Sequence, residues 1–323
     1  MLGSPVFDEK IRGHSVSMSK SVAAQGGAAG EGAERAYLYM LAGSLAFATM
    51  GALSHLAGER VDWRVVAVAR TLVAFVLSAS LALSTGVRLV VLRPAVLWMR
   101  SLAGSVGVLC AFYALTHLPV STALTLSNTV PVWVTLLAWP ALGQRPAASV
   151  WGAIAVGLCG IALVQRPELS ADRVAGMLAV GNALCTAVAM IGLNKLAGVD
   201  ARAVVTHFSG VSTVFTLSVL LASDGVDYGA VRSLTTLGLL AGVGAAGTLG
   251  QLGMTKAFAL GNPPRVSVVG LMQIVFALLF DLLLWRRRFD ALTVAGIFLV
   301  VAPSAWLMLH NPLKKSTPIH TTQ

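Results

Sequence analysis

Residues 124–133 read LTLSNTVPVW, an apolar helix-like run that carries Ser127, Asn128, Thr129 and Pro131 within five positions. On a helical wheel Ser121, Thr125 and Asn128 align with Pro131, while Leu124, Leu126, Val130 and Trp133 spread over the rest. One side of this segment is polar. Its neighbours are not: 56% of the 323 residues are hydrophobic and 11% are charged, and the mean hydropathy is +0.80. An average soluble domain carries roughly 25% charged residues. Runs of about 20 apolar residues are what a hydrocarbon layer of roughly 30 Å requires of a helix rising 1.5 Å per residue. Several such runs occur, so the sequence predicts an all-α integral membrane protein.

Apolar runs between charged or Gly/Pro punctuation predict ten transmembrane helices, near 37–57, 64–84, 97–116, 120–140, 148–165, 174–195, 203–222, 235–257, 265–285 and 291–309. The second five repeat the first. Asp62 and Arg64 match Asp200 and Arg202 at an offset of 138. Gly104, Gly107, Cys110 and Ala114 match Gly247, Gly250, Gly253 and Ala257 at 143. Pro119 matches Pro263 and Gly152 matches Gly296, both at 144. A five-helix unit begins and ends on opposite sides of the bilayer, so its second copy enters from the other face. The expectation is two inverted repeats, 37–165 and 174–309, joined by a linker at 166–173. Such repeats hold a binding site near the midplane and open it alternately to each side.

Residues 1–36, rich in Gly, Ala and Ser, lack a signal-peptide apolar core and read as a disordered cytoplasmic tail. Residues 310–323 read as a second cytoplasmic tail. Lys and Arg outside the spans are in excess on the side of both termini, with Arg286, Arg287 and Arg288 as a counter-signal on the other side. Arg100 and Lys256 fall near inner helix ends in this count. The composition and the lack of an organellar presequence fit a bacterial inner membrane.

The net charge of +10 brings no basic cluster interleaved with aromatics, so nucleic acid is not an expected partner. The expected partners are a small-molecule solute and the lipid bilayer, with the chain as monomer or homodimer. Cys110, Cys159 and Cys185 have no metal-ligand or CxxC spacing, and neither a metal nor a cofactor is expected. No HExxH or GxSxG motif occurs, and Ser105 in LAGSVG lacks the preceding glycine, so no catalytic residue is assigned.

Ten helices in two halves resemble the drug/metabolite transporter superfamily, specifically its EamA family with two EamA repeats. The resemblance is carried by Arg70 in ARTLVAFVL, by YALTHLPVSTALTL with its echo KAFALGNPPRVSVVGL, and by Gly152, Gly157 and Gly160. It implies a secondary transporter that exports amino acids or related metabolites. Uptake of a vitamin-like or nucleoside-like solute is the alternative, and a membrane-embedded enzyme the alternative of another class. Two departures are Gly143–Gln144, where the family has Gly-Glu, and Met50–Gly51, where it has Trp-Gly.

Asn128 lies about 12 Å into its helix by the 1.5 Å rise, close to the midplane. An amide at that depth needs a partner in protein or in a wet cavity, because lipid offers none. Pro131 cannot bond the Ser127 carbonyl and is expected to kink the helix. Asn182, Gln251 and Gln273 fall at similar depth, so Asn128, Thr125, Asn182, Gln251 and Gln273 are the substrate-binding candidates. The family resemblance adds Tyr113 and Met50. Arg70 either snorkels outward or makes a structural or gating contact. Asp281 serves coupling or a local ion pair, and His207, near a helix end, reads as interfacial. The glycine stripes of helices 3 and 8 predict close backbone approach.

Overall fold

The computed structural model describes residues 5–118, 120–167, 172–226, 229–286 and 289–310, with side chains from residue 31 onward except those of residues 112, 115, 116, 120, 121, 229, 230 and 285. Among them are twelve α-helices and no strand. These are α1 (Pro5–Gly58), α2 (Trp63–Ser84), α3 (Ala95–His117), α4 (Val120–Ser127), α5 (Val130–Leu142) and α6 (Ala148–Gln165). The rest are α7 (Arg173–Lys195), α8 (Ala201–Leu221), α9 (Leu234–Leu260), α10 (Pro263–Gly270), α11 (Met272–Trp285) and α12 (Ala291–Leu309). Eight spans among the described residues are long and apolar enough to cross a bilayer, the first being Glu31–Gly58 within α1 and the seventh, Pro263–Leu284, joining α10 to α11. A shorter apolar helix, Ala95–Ala111, adds to them.

Acidic and amide side chains start the helices. Asp62, Asp172, Asp200 and Asp290 accept from the backbone N–H of Arg64, Ala175, Arg202 and Thr293, satisfying donors that the first turn leaves open. Asn262 caps α10 in the same way, and its amide also donates to Gln144 Oε1 at 2.8 Å. The departure at Gln144 thus ties the α5–α6 connection to the start of α10. Gly143 ends α5 at φ 68°, a left-handed conformation that a Cβ would strain.

Three features differ from the sequence reading. The backbone of α1 runs through residues 5–36, expected as a disordered tail; the one proline there, Pro5, stands at the first helical position, where its missing N–H interrupts no helical bond. The segment expected as one helix over 120–140 is interrupted at Asn128–Thr129, and that expected over 265–285 is interrupted at Leu271. The breaks fall at matching places, since Ser127 and Gly270, the last residues of α4 and α10, stand 143 apart. Pro119, Arg287, Arg288, the side chain of Ser121, residues 168–171 of the 166–173 linker and the tail beyond residue 310 lie outside the described residues.

Packing pairs the helices across the chain midpoint. α1 packs chiefly on α9 and α3 on α7, while α2 packs on α8 and α6 on α12. Exchanging the halves converts the first of these pairs into the second and leaves the other two unchanged. Large apolar side chains such as Leu83, Leu221, Leu234 and Leu309 point outward, as lipid allows. Small ones fill the contacts: Ala175, Ala179, Ala183 and Ala187 of α7 are all fully buried along one face. The glycine stripe of α9 does bring backbones together, because a Cβ on Gly253 would stand 2.8 Å from the Tyr39 carbonyl oxygen and 3.0 Å from Gly43 Cα. On α6 and α12, Gly160 and Gly296 face one another so closely that a Cβ on either would meet the other's carbonyl oxygen at 2.7 Å.

Candidate functional site

The two helix breaks are held by a matching pair of side chains. Asn182 of α7 donates to Ser127 Oγ at 3.0 Å, and Ser44 of α1 donates to the Gly270 carbonyl at 3.4 Å. Ser44 and Asn182 stand 138 apart, the offset of the repeat at that part of the chain. At the first break, Asn128 folds back so that its Nδ2 donates to the Leu124 carbonyl at 2.8 Å, which leaves Oδ1 as its accepting end. Thr129 Oγ1 donates to the Leu126 carbonyl at 2.7 Å and accepts from Trp133 Nε1 at 3.3 Å. Pro131 has no N–H for the Ser127 carbonyl, so the helix interrupts where a kink is expected.

Around these breaks lies a cavity of about 370 Å³. Helices of both halves line it, and α6 and α12 contribute none of its lining residues. Of the substrate-binding candidates, Asn128, Asn182, Gln251, Gln273 and Met50 lie on its wall, as do Arg70 and Pro131. Thr125 is not among the lining residues. Tyr113 is exposed and stacks on the His117 ring at 4.0 Å, and Asp281 sits farther along α11, also off the wall. The apolar part of the wall includes Met40, Met50, Met190 and Met254 with Phe47.

Arg100 dominates the polar part, although the sequence reading left it among the orienting charges near an inner helix end. Its side chain is 1% exposed, the largest of the fully buried ones. Three helices build its place. Gly192 of α7 leaves room for its stem, since a Cβ there would come within 3.1 Å of Arg100 Cβ. Gly104, one turn along α3, leaves room for the Phe208 ring of α8, and the Arg100 guanidinium lies 3.7 Å from the centroid of that ring. Nη2 donates to Gln251 Oε1 of α9 at 2.9 Å. Nε and Nη1 have no hydrogen-bond partner among the described residues. The spacing Arg100, Gly104, Val108, Ala111 marks one face of α3, and all four line the cavity. That spacing was the signal by which the sequence could have placed Arg100 inward.

Arg70 does not leave the protein by snorkelling. It borders the cavity, with its Cγ and Nε lying alongside Gly247 of α9, and no hydrogen bond or ion pair holds it among the described residues. Among the described residues no Asp or Glu lines the cavity, and the formal charge of the lining comes from two arginines. His207, beside Phe208 on α8, is likewise internal: its Nδ1 pairs with Ser101 Oγ at 2.8 Å and its ring meets Trp98 edge-on at 4.7 Å.

A chamber between two halves, with polar groups beside broken helices, is how many solute carriers are built, and the sequence comparisons point to transporters. Residues 34–166 match the EamA-like transporter family. Beyond that match, the chain is 28% identical over 260 residues to the pseudopaline exporter CntI of Pseudomonas aeruginosa (strain UCBPP-PA14), covering 80% of this chain and 90% of that one. It is 26% identical over 223 residues to human solute carrier family 35 member G1, covering 63% of this chain and 59% of that one. A solved crystal structure is similar over 85% of this chain and 97% of its own, with a TM-score of 0.74 and 17% identity, which shows the fold. The EamA match, these transporter relatives and the apolar helices make the chain a multi-pass membrane transporter.

Proposed function

We propose that this EamA protein is a secondary transporter that exports a small polar metabolite, of the amino-acid type or related to it, by alternating access. Two inverted five-helix repeats, 37–165 and 174–309, rock against each other in a bacterial inner membrane with both termini cytoplasmic. The transporter acts without covalent chemistry, as a monomer or homodimer. Asn128, Asn182, Gln251 and Gln273 hydrogen-bond the solute. The single observation that carries the reading is the cavity of about 370 Å³, lined from both halves, with amide and guanidinium groups set in a largely apolar wall. The similarity to an exporter of a metabolite over 80% of the chain supports the direction.

The test is counterflow in proteoliposomes loaded with unlabelled metabolites and challenged with labelled amino acids, nucleosides and organic acids. Accumulation of at least one label, abolished by Asn128→Leu with Asn182→Leu in a protein that still runs as a single species on gel filtration, is the expected result. Equal label in empty liposomes would refute it.

A further inference from the structure

The two cavity arginines have no acidic partner among the described residues. A guanidinium stays protonated at any pH a cell reaches. Holding one away from water costs several kcal/mol unless an opposite charge compensates it. The Phe208 ring and one amide oxygen of Gln251 compensate Arg100 only in part, since Nε and Nη1 have no partner among the described residues. Arg70, with no partner among the described residues, stands on the same wall. α9 fixes their spacing, because Arg70 lies alongside Gly247 and Arg100 bonds Gln251, one turn further on, which is roughly 6 Å along the helix.

We propose that the cavity takes a small organic dianion, two carboxylates on a short carbon chain, with Arg100 receiving one and Arg70 the other. The planar fork of each guanidinium matches a carboxylate with two parallel hydrogen bonds. The inference rests on the transporter reading for its purpose, but binding can be measured without transport.

The experiment is thermal unfolding of the detergent-purified full chain with succinate, glutarate, propionate, inorganic phosphate or putrescine. Succinate and glutarate are expected to raise the melting temperature saturably, with propionate and phosphate at least tenfold weaker and putrescine without effect. In Gln251→Glu a carboxylate of the protein itself occupies the Arg100 guanidinium. That variant is expected to melt higher than wild type without ligand and to need at least ten times more succinate. Arg70→Gln is expected to bring succinate down to the propionate level. A putrescine shift, a phosphate shift equal to that of succinate, or an undiminished succinate response in either variant would overturn the proposal. Anion binding without counterflow would sink the transporter reading and leave this site standing. Counterflow of a neutral solute without anion binding would do the reverse.

Discussion

Arg70 of α2 and Phe208 of α8 occupy matching places in the two halves, 138 residues apart, and each lies over a matching glycine, Gly247 of α9 and Gly104 of α3. The backbone repeats and the chemistry does not. In the first half the position holds a cation, and in the second an aromatic face that carries the cation of its neighbour, Arg100. The place matching Arg100 is Val243, fully buried in an apolar cluster. Two copies of one bundle therefore enclose a cavity whose charge comes wholly from the first copy. In the proposed mechanism the repeat is what lets the cavity open, and the departures from it, Arg70 and Arg100, are what set the preference among solutes.

The largest effect expected from testing this comparison is at the glycines. Gly253 meets the backbone of α1, which cannot yield as a side chain can, so Gly253→Val is expected to cost about 3 kcal/mol or more and to deplete the folded peak in gel filtration. Its first-half match, Cys110, is half-buried, and Cys110→Ala is expected within about 0.5 kcal/mol of wild type in melting experiments. Equal losses at both sites would break the comparison.

Making the first half resemble the second, through Arg70→Phe, is expected to preserve the melting temperature or raise it, because a poorly compensated charge is removed. Counterflow of succinate should drop at least tenfold, equivalent to about 1.4 kcal/mol. A smaller pair of effects belongs to the breaks. Asn182→Ala is expected to cost about 0.6 kcal/mol, typical of an interhelical hydrogen bond in a membrane. Ser44→Ala should cost less, since its bond to the Gly270 carbonyl is 3.4 Å long.

The smallest effect concerns the aspartates that cap α2 and α8. Arg202 donates to Asp200 at 2.7 Å and to Thr85 at 2.7 Å, whereas Arg64 stands 3.5 Å from Asp62. The Arg202 side chain, by that hydrogen bond, holds the Asp200 carboxyl below the usual carboxylate range. A carboxylate whose folded value is depressed stabilises the fold above its unfolded value, about 3.9, and loses that contribution as pH falls through the folded one. The melting temperature should be flat from pH 8 to 5 as far as Asp200 is concerned and decline only below about pH 4. Asp200→Asn is expected to flatten that decline slightly.

Much of the fold is legible in the sequence because lipid makes a strict demand on span length and composition. The bounds expected for the helices at 148–165 and 291–309 coincide with those of α6 and α12. The first break was half legible, since Pro131 announces a disturbance. The second was not: Leu271 has no proline beside it, and Gly270 alone reads as an ordinary small residue in a helix. The amides on the cavity wall follow from depth along each helix, which is a one-dimensional quantity. Arg100 does not follow from depth, because five residues from a helix start a long cationic side chain can reach water as easily as it can turn inward. What turns it inward is Gly192, Phe208 and Gln251, all in the other half of the chain.

The four methionines of the cavity wall have one more consequence. Thioether chains have three freely turning bonds and refit themselves to whatever they touch, whereas the Arg100 side chain is held at its stem beside Gly192 and at its head by the Phe208 ring and Gln251. A chamber soft where it is oily and stiff where it is ionic grades its cargo by valence before outline. Short diacids that bridge the two guanidiniums but differ in branching should compete for it on nearly equal terms, and an oxidant that turns those sulfurs into sulfoxides would take away that tolerance first.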